Sequence, residues 1–146
     1  MEKEFEEIEL LMRRICFRVK VVGRFVLKDF GLSASQFDIL QYLYFSGSKR
    51  MSELSKKVGV AKSTMTGLVS RMESAGYIKK HYFEEDKRVI LVEISSQGKR
   101  IIKRVIEERV KFVATSLKNI KHSELLDNLR KVNTAISEKF DQLKNN

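Results

Sequence analysis

The sequence predicts a mainly α fold with one small β-hairpin. Three observations predict it. Apolar residues recur at spacings of three and four through most of the 146 residues, the period of helices with one buried face. Between Tyr77 and Ser95 the pattern changes to alternating β-branched and aromatic residues, the period of strands. Proline is absent, so the breaks between elements fall mainly to glycines.

The first helix is expected over residues 4–30, with Ile8, Met12, Ile15, Val19, Val22 and Val26 as its stripe, widened by Leu11, Val21 and Phe25. Gly23 weakens it slightly, and Gly31 is its stop. A second helix starts at Ser33, where Ser33 and Gln36 have the spacing of a capping box, and buries Phe37, Leu40, Leu43 and Tyr44 before Gly47. A third runs from Ser52 with Leu54 and Val58 inward, and Gly59 makes the turn after it. The fourth spans about Lys62 to Ala75 and closes at Gly76. Tyr77 to Phe83 and Arg88 to Ser95 form the hairpin, joined by the polar run Glu84 to Lys87. Ser95 caps a fifth helix, with Ile102, Val105, Ile106, Val110, Val113, Leu117 and Ile120 on its stripe. Ser123 caps a sixth, with Leu125, Leu129, Val132, Ile136, Phe140 and Leu143 on one side.

Composition narrows the function. Hydrophobic residues make up 42% of the chain, enough for a packed interior. The net charge of +10 favours a polyanionic partner. The single cysteine permits no disulfide within the chain and fits a reducing compartment. The N-terminus carries Glu2, Glu4, Glu6, Glu7 and Glu9, the opposite of a basic signal peptide. No apolar run reaches the roughly 20 residues that span a bilayer. A cytoplasmic location without membrane partners is expected. No nucleophile–base pair, phosphate-cradling glycine loop or metal-ligand spacing stands out, so no catalytic residue, metal or cofactor is expected.

Helix, Gly59 turn, helix and charged hairpin together make a winged helix-turn-helix, which places one helix in the major groove of DNA and a basic hairpin beside it. With Met65, Leu68, Val69 and Met72 buried, the opposite face of the fourth helix carries Lys62, Ser63, Thr64, Thr66, Gly67, Ser70 and Arg71. Short hydroxyls near a helix N-terminus suit phosphates and base edges. Gly67 costs about 1 kcal/mol of helix propensity, which a close approach to DNA or to a neighbouring helix would justify. Duller roles exist: Ser63 as a cap, and Arg71 as the partner of an acidic residue. On the hairpin, Lys79, Lys80, Asp86, Lys87 and Arg88 are the candidates. An Arg or Lys there can enter a narrow minor groove, and Asp86 is expected to pair with Arg88 and hold the tip. Lys49, Arg50, Lys56 and Lys57 are expected along the approach to the backbone. The broad stripes of the first, fifth and sixth helices exceed what so small a domain can bury, so a two-fold homodimer is expected. A self-contained bundle would be the other way to cover them. Residues 1–31 and 96–146 then form the helical dimerisation region, and residues 32–95 the DNA-binding domain.

Three segments resemble the MarR family of multiple-antibiotic-resistance-type regulators: Leu32 to Phe37, Leu54 to Met72, and Gly76-Tyr77-Ile78 through Asp86-Lys87-Arg88 to Ile94-Ser95 and Gly98. The resemblance implies a homodimeric winged helix-turn-helix repressor on a short pseudo-palindrome of double-stranded DNA. It also implies release by a small aromatic or anionic effector bound between the two lobes, with Arg88 at the minor groove. The chain departs from the family pattern at Val89, where Ser is common, and at Ile94-Ser95, where Leu-Thr is frequent.

Cys16 opens a different reading, a thiol-based redox-sensing regulator. A branch of the same family senses organic peroxides through a cysteine early in the first helix, and Arg13 and Lys20 share the face of Cys16, where cations favour the thiolate. Lys20 and Phe30 stand where that branch has tyrosines, and a lone cysteine is also an ordinary small core residue. The chain is also compatible with a constitutive architectural DNA-binding protein or a winged-helix module that binds protein, and least with an enzyme. The effector-binding residues are not legible.

Overall fold

The computed structural model describes residues 1–145. Its elements are α1 (Glu2–Leu27), a short 3-10 turn (Lys28–Phe30), α2 (Ala34–Ser46), β1 (Lys49–Arg50), α3 (Met51–Val58), α4 (Lys62–Ser74), β2 (Ile78–Tyr82), β3 (Ile90–Ile94), α5 (Ser96–Ser116) and α6 (His122–Lys144). They form two compact units that divide between Phe112 and Val113, inside α5.

The first unit holds the core. α2 contributes Phe37, Ile39, Leu40 and Leu43; α3 contributes Leu54; α4 contributes Met65, Leu68, Val69 and Met72. Ile78, Val92 and Ile94 enter from the sheet, Ile101, Ile102 and Val105 from α5, and Val26 and Leu27 from the end of α1. The second unit differs. α6 buries none of its residues, and Leu129, Val132, Ile136, Phe140 and Leu143 are all exposed.

Local chemistry explains the boundaries. The Ser33 hydroxyl accepts from the Gln36 N–H at 3.2 Å, while the Gln36 side chain accepts from the Ser33 N–H at 2.9 Å. This reciprocal box starts α2 and satisfies two otherwise orphaned donors. At Gly59 the chain takes a left-handed conformation (φ 74°, ψ 35°) that a side chain would oppose, which turns α3 into α4. α1 runs unbroken through Gly23, where a Cβ would lie 2.5 Å from Nε of Arg109. The helix accepts a weak helix former in exchange for that close approach.

The sheet is larger than the hairpin expected from sequence. β3 is central in a three-stranded antiparallel sheet of order β1-β3-β2. Lys49 pairs with Val92 and Arg50 with Leu91 on one side, while Ile78 to Tyr82 pair with Ile94 to Ile90 on the other. A two-residue strand carries no alternation to read, and it forms because β3 has a second edge to satisfy. Two further differences lie at helix starts. α3 begins at Met51, where the Glu53 carboxylate accepts from the Arg50 N–H at 2.7 Å. α6 begins at His122 with Lys121 as its cap residue, so Ser123 does not cap it; the His122 ring bonds to the Leu117 carbonyl at 2.9 Å instead.

Ser95 joins three elements. Its hydroxyl donates to the Gly76 carbonyl at 2.6 Å and accepts from the Gly98 N–H at 3.0 Å, and its own N–H donates to the Tyr77 carbonyl at 3.0 Å. The α4–β2 turn, the end of β3 and the first turn of α5 are tied at one residue. The base of the hairpin is therefore fixed relative to α4.

Candidate nucleic-acid interface

α4 buries the face its spacing implies. Met65, Leu68, Val69 and Met72 lie in the core, while Lys62, Ser63, Thr64, Thr66 and Arg71 are exposed and Gly67 and Ser70 are half-buried. The helix is capped by Ala61, whose side chain can accept nothing. Among the described residues no side chain caps its first N–H groups, an arrangement suited to phosphate. Ser63 lies inside the first turn and is not the cap. Thr66 donates to the Lys62 carbonyl at 2.9 Å, which fixes its rotamer. Arg71 has no acidic partner among the described residues; a guanidinium nitrogen would stand 3.5 Å from a Cβ at Gly67.

The start of α3, the start of α4 and the hairpin meet in one concavity. Arg50, Ser52, Lys62, Thr66 and Arg88 line a cavity of about 280 Å³ together with Met51, Val89 and Ile90. Three cations therefore converge on one groove. Arg50 lies there with its guanidinium 5.9 Å from the Phe83 ring centroid, a cation–π contact across the base of the tip. The sequence puts Arg50 only on the approach; β1, which carries it into the groove, is too short to leave a readable signal.

The tip is internally braced. Arg88 donates from its backbone N–H and from Nε to one Asp86 oxygen, each at 3.0 Å, and from Nη2 to the other at 3.2 Å. The Arg88 side-chain bond, and then its backbone bond, hold the Asp86 carboxyl below the usual carboxylate range. The Arg88 side chain is still 91% exposed, so the guanidinium is oriented without being consumed. Lys87 and Lys79 are exposed.

Lys80 does not join this surface. Its ammonium lies 3.3 Å from Glu73, its N–H donates to the same carboxylate at 2.9 Å, and its side chain is only 20% exposed. Alternation along β2 puts it on the face of Ile78, opposite Lys79. Lys49 and Lys57 are likewise engaged elsewhere, standing 5.5 and 5.4 Å from the Tyr42 ring centroid. Cys16 is exposed rather than packed in a core. Arg13, expected to act on its sulfur, is instead bidentate to Glu9 at 2.9 and 3.2 Å. Among the described residues no helix is long and apolar enough to cross a membrane, and no group of metal-ligating side chains forms.

The model of the MarR family matches residues 32–90, the span from α2 to the start of β3. A transcriptional regulator of Thermotoga maritima, Tm0710, has a solved structure with TM-score 0.86 and 43% identity, covering 93% of this chain and 98% of that one. A MarR family protein from Bacillus stearothermophilus is 32% identical, with TM-score 0.78 and coverage of 96% and 98%. The chain belongs to the MarR family. Relatives named as HTH-type transcriptional regulators include YsmB of Bacillus subtilis (strain 168), 31% identical over 119 residues and 82% of each chain.

Gly67 gives this MarR-family helix a test. A Cβ there meets only the movable end of Arg71, so Gly67→Ala is expected to stabilise the fold by about 0.5–1 kcal/mol in denaturant unfolding. The same variant should bind DNA more weakly in fluorescence anisotropy. A variant both more stable and equally tight would remove the close-approach role of Gly67.

Proposed function

We propose that the chain is a homodimeric repressor that holds a pseudo-palindromic operator with two copies of α4 and its hairpin, and leaves it when a small aromatic or anionic effector binds. The observation that carries this reading is the convergence of Arg50, Lys62 and Arg88 on one groove beside the open N-terminus of α4. Lys62, Ser63, Thr64, Thr66, Gly67, Ser70 and Arg71 face the major groove in this reading, and Arg88 and Lys87 the backbone or minor groove. MepR of S. aureus, which shares the fold at TM-score 0.62 and 18% identity, has been solved in complex with DNA.

The second copy is called for by uncovered apolar surface. Phe5, Ile8, Leu11, Ile15, Phe17 and Phe25 are exposed on α1, and Leu129, Val132, Ile136, Phe140 and Leu143 on α6. Such stripes cost free energy in water and are complementary to themselves about a two-fold axis. In this reading residues 1–31 and 96–146 supply the dimerisation contacts and residues 32–95 the DNA contacts.

Effector release is supported by a crevice of about 230 Å³ that Lys20, Arg24 and Arg109 line together with Phe37, Asp38 and Gln41. Nε of Arg109 is buried with no hydrogen-bond partner among the described residues, and burial lowers the pKa of its guanidinium. An anion beside it would relieve that cost.

The reading is tested by replacing Leu129 and Ile136 with Glu. The double variant is expected to sediment as a folded monomer and to lose operator affinity by about a hundredfold or more, because the second half-site is no longer tethered. Aromatic carboxylates should release the unmodified protein from DNA and fail to release Arg109→Leu. A monomeric unmodified protein at micromolar concentration, or a monomeric variant that binds as tightly, would refute the two-fold reading.

A further inference from the structure

A second cavity, of about 500 Å³, lies on another side of α5 and shares no lining residue with the Arg109 crevice. Its walls come from the 3-10 turn after α1, the residue that precedes β2 and the first half of α5. Asp29, Phe30, Tyr77, Arg100, Ile101 and Arg104 carry its chemistry.

The charges are arranged without cancelling. Arg100 and Arg104 are four residues apart and lie on one face of α5, a like-charge pair that is unfavourable in an isolated helix. Arg104 has a long contact of 3.7 Å with Glu108, whose same oxygen Lys111 holds at 2.9 Å. Among the described residues the Arg100 guanidinium has no ion-pair or hydrogen-bond partner, and neither does the Asp29 carboxylate. The carboxylate and the two guanidinium groups thus line one cavity and do not pair with each other. The same cavity is lined by half-buried Phe30 and Tyr77 and by the fully buried Ile101. The Tyr77 hydroxyl donates to the Phe30 carbonyl at 3.4 Å, which sets its ring against that wall.

We propose that this cavity binds a small zwitterion with a planar apolar side chain, the chemistry of an aromatic amino acid. The ligand carboxylate meets Arg100 and Arg104, its ammonium meets Asp29, and its ring lies on Phe30 and Tyr77. A plain anion would face the uncompensated Asp29, and a plain cation would face two guanidinium groups. An aliphatic zwitterion would leave the aromatic wall unused. Because Tyr77 leads directly into β2 and its carbonyl accepts from Ser95, an occupant here bears on the base of the hairpin. The site is a second input, separate from the effector crevice, and its occupancy does not depend on the proposed operator or dimer.

Isothermal titration calorimetry of the full chain without DNA tests it, with L-tryptophan and L-phenylalanine as probes and 3-phenylpropionate and phenethylamine as the analogues that each lack one charge. Both amino acids are expected to bind, and each analogue to bind at least about tenfold more weakly. Arg100→Ala combined with Arg104→Ala should abolish binding while leaving the far-UV circular dichroism unchanged, since both side chains are exposed. Asp29→Asn should erase the preference for the amino acid over 3-phenylpropionate. Absence of binding by both amino acids, equal binding of 3-phenylpropionate to the unmodified chain, or undiminished binding by the double arginine variant would each overturn the proposal.

Discussion

Gly98→Ala is expected to destabilise the protein by about 1–3 kcal/mol, although alanine is the better helix former. Gly98 is buried in the first turn of α5 and its φ is not positive, so the backbone itself would accept a side chain. What forbids one is space. A Cβ would overlap the Tyr77 carbonyl oxygen, lie 2.8 Å from Cγ1 of Ile94 and 3.2 Å from Cδ2 of Leu40. The carbonyl cannot give way cheaply, because it accepts the Ser95 N–H. Relief has to come from moving α5 away from the sheet, which stretches the Ser95 bonds to Gly76 and Gly98 together. Chemical denaturation of Gly98→Ala beside Gly67→Ala separates this from helix propensity: the first should shift the midpoint down and the second up. A neutral or stabilising Gly98→Ala would contradict this packing of α5 on the sheet. Because the same contacts seat the hairpin, operator affinity should fall in Gly98→Ala even where the protein is fully folded.

How far the sequence leads can be judged at individual residues. The buried side of α4 is legible because four apolar residues recur at helical spacing over an otherwise polar segment. The box at Ser33 and Gln36 is legible because both partners lie within one turn. Local signals of this kind carry most of the fold. The parity of β2 is legible too: Lys80 falls two residues after the buried Ile78, which assigns it to the inner face, and only its charge argues otherwise. Interactions between distant segments leave no such trace. Gly23 looks like a flaw in a helix until Arg109 is placed against it. β1 is two residues long and exists only because β3 offers an edge. Asp29 and Arg100 have nothing in common in the sequence, and the cavity they line exists because the 3-10 turn after α1 and the first half of α5 meet within the first unit.

Arg88→Ala is expected to weaken operator binding by roughly ten- to a hundredfold and to reduce the slope of log K against log salt by about 0.9, the contribution of one phosphate contact. The exposed guanidinium makes the charge available, and the two Asp86 oxygens set its direction. Arg88→Lys separates these roles. A lysine keeps the charge and so should keep the salt slope, but it cannot make the two-pronged contact with Asp86, and its affinity should fall between that of the original protein and Arg88→Ala. Asp86→Asn removes the brace and one negative charge from the tip, so its slope should be unchanged or steeper while discrimination between operator and random DNA declines. The pH response follows from the same pair. Arg88 lowers the folded-state pKa of Asp86, so the brace is fully formed above the ordinary carboxylate range and is lost only as pH falls through that depressed value. Operator affinity in neutral and mildly acidic buffer should therefore show no titration that Asp86→Asn removes. A salt slope identical in Arg88→Ala and the unmodified protein would take the hairpin off the DNA and leave α4 and Arg50 to account for binding alone.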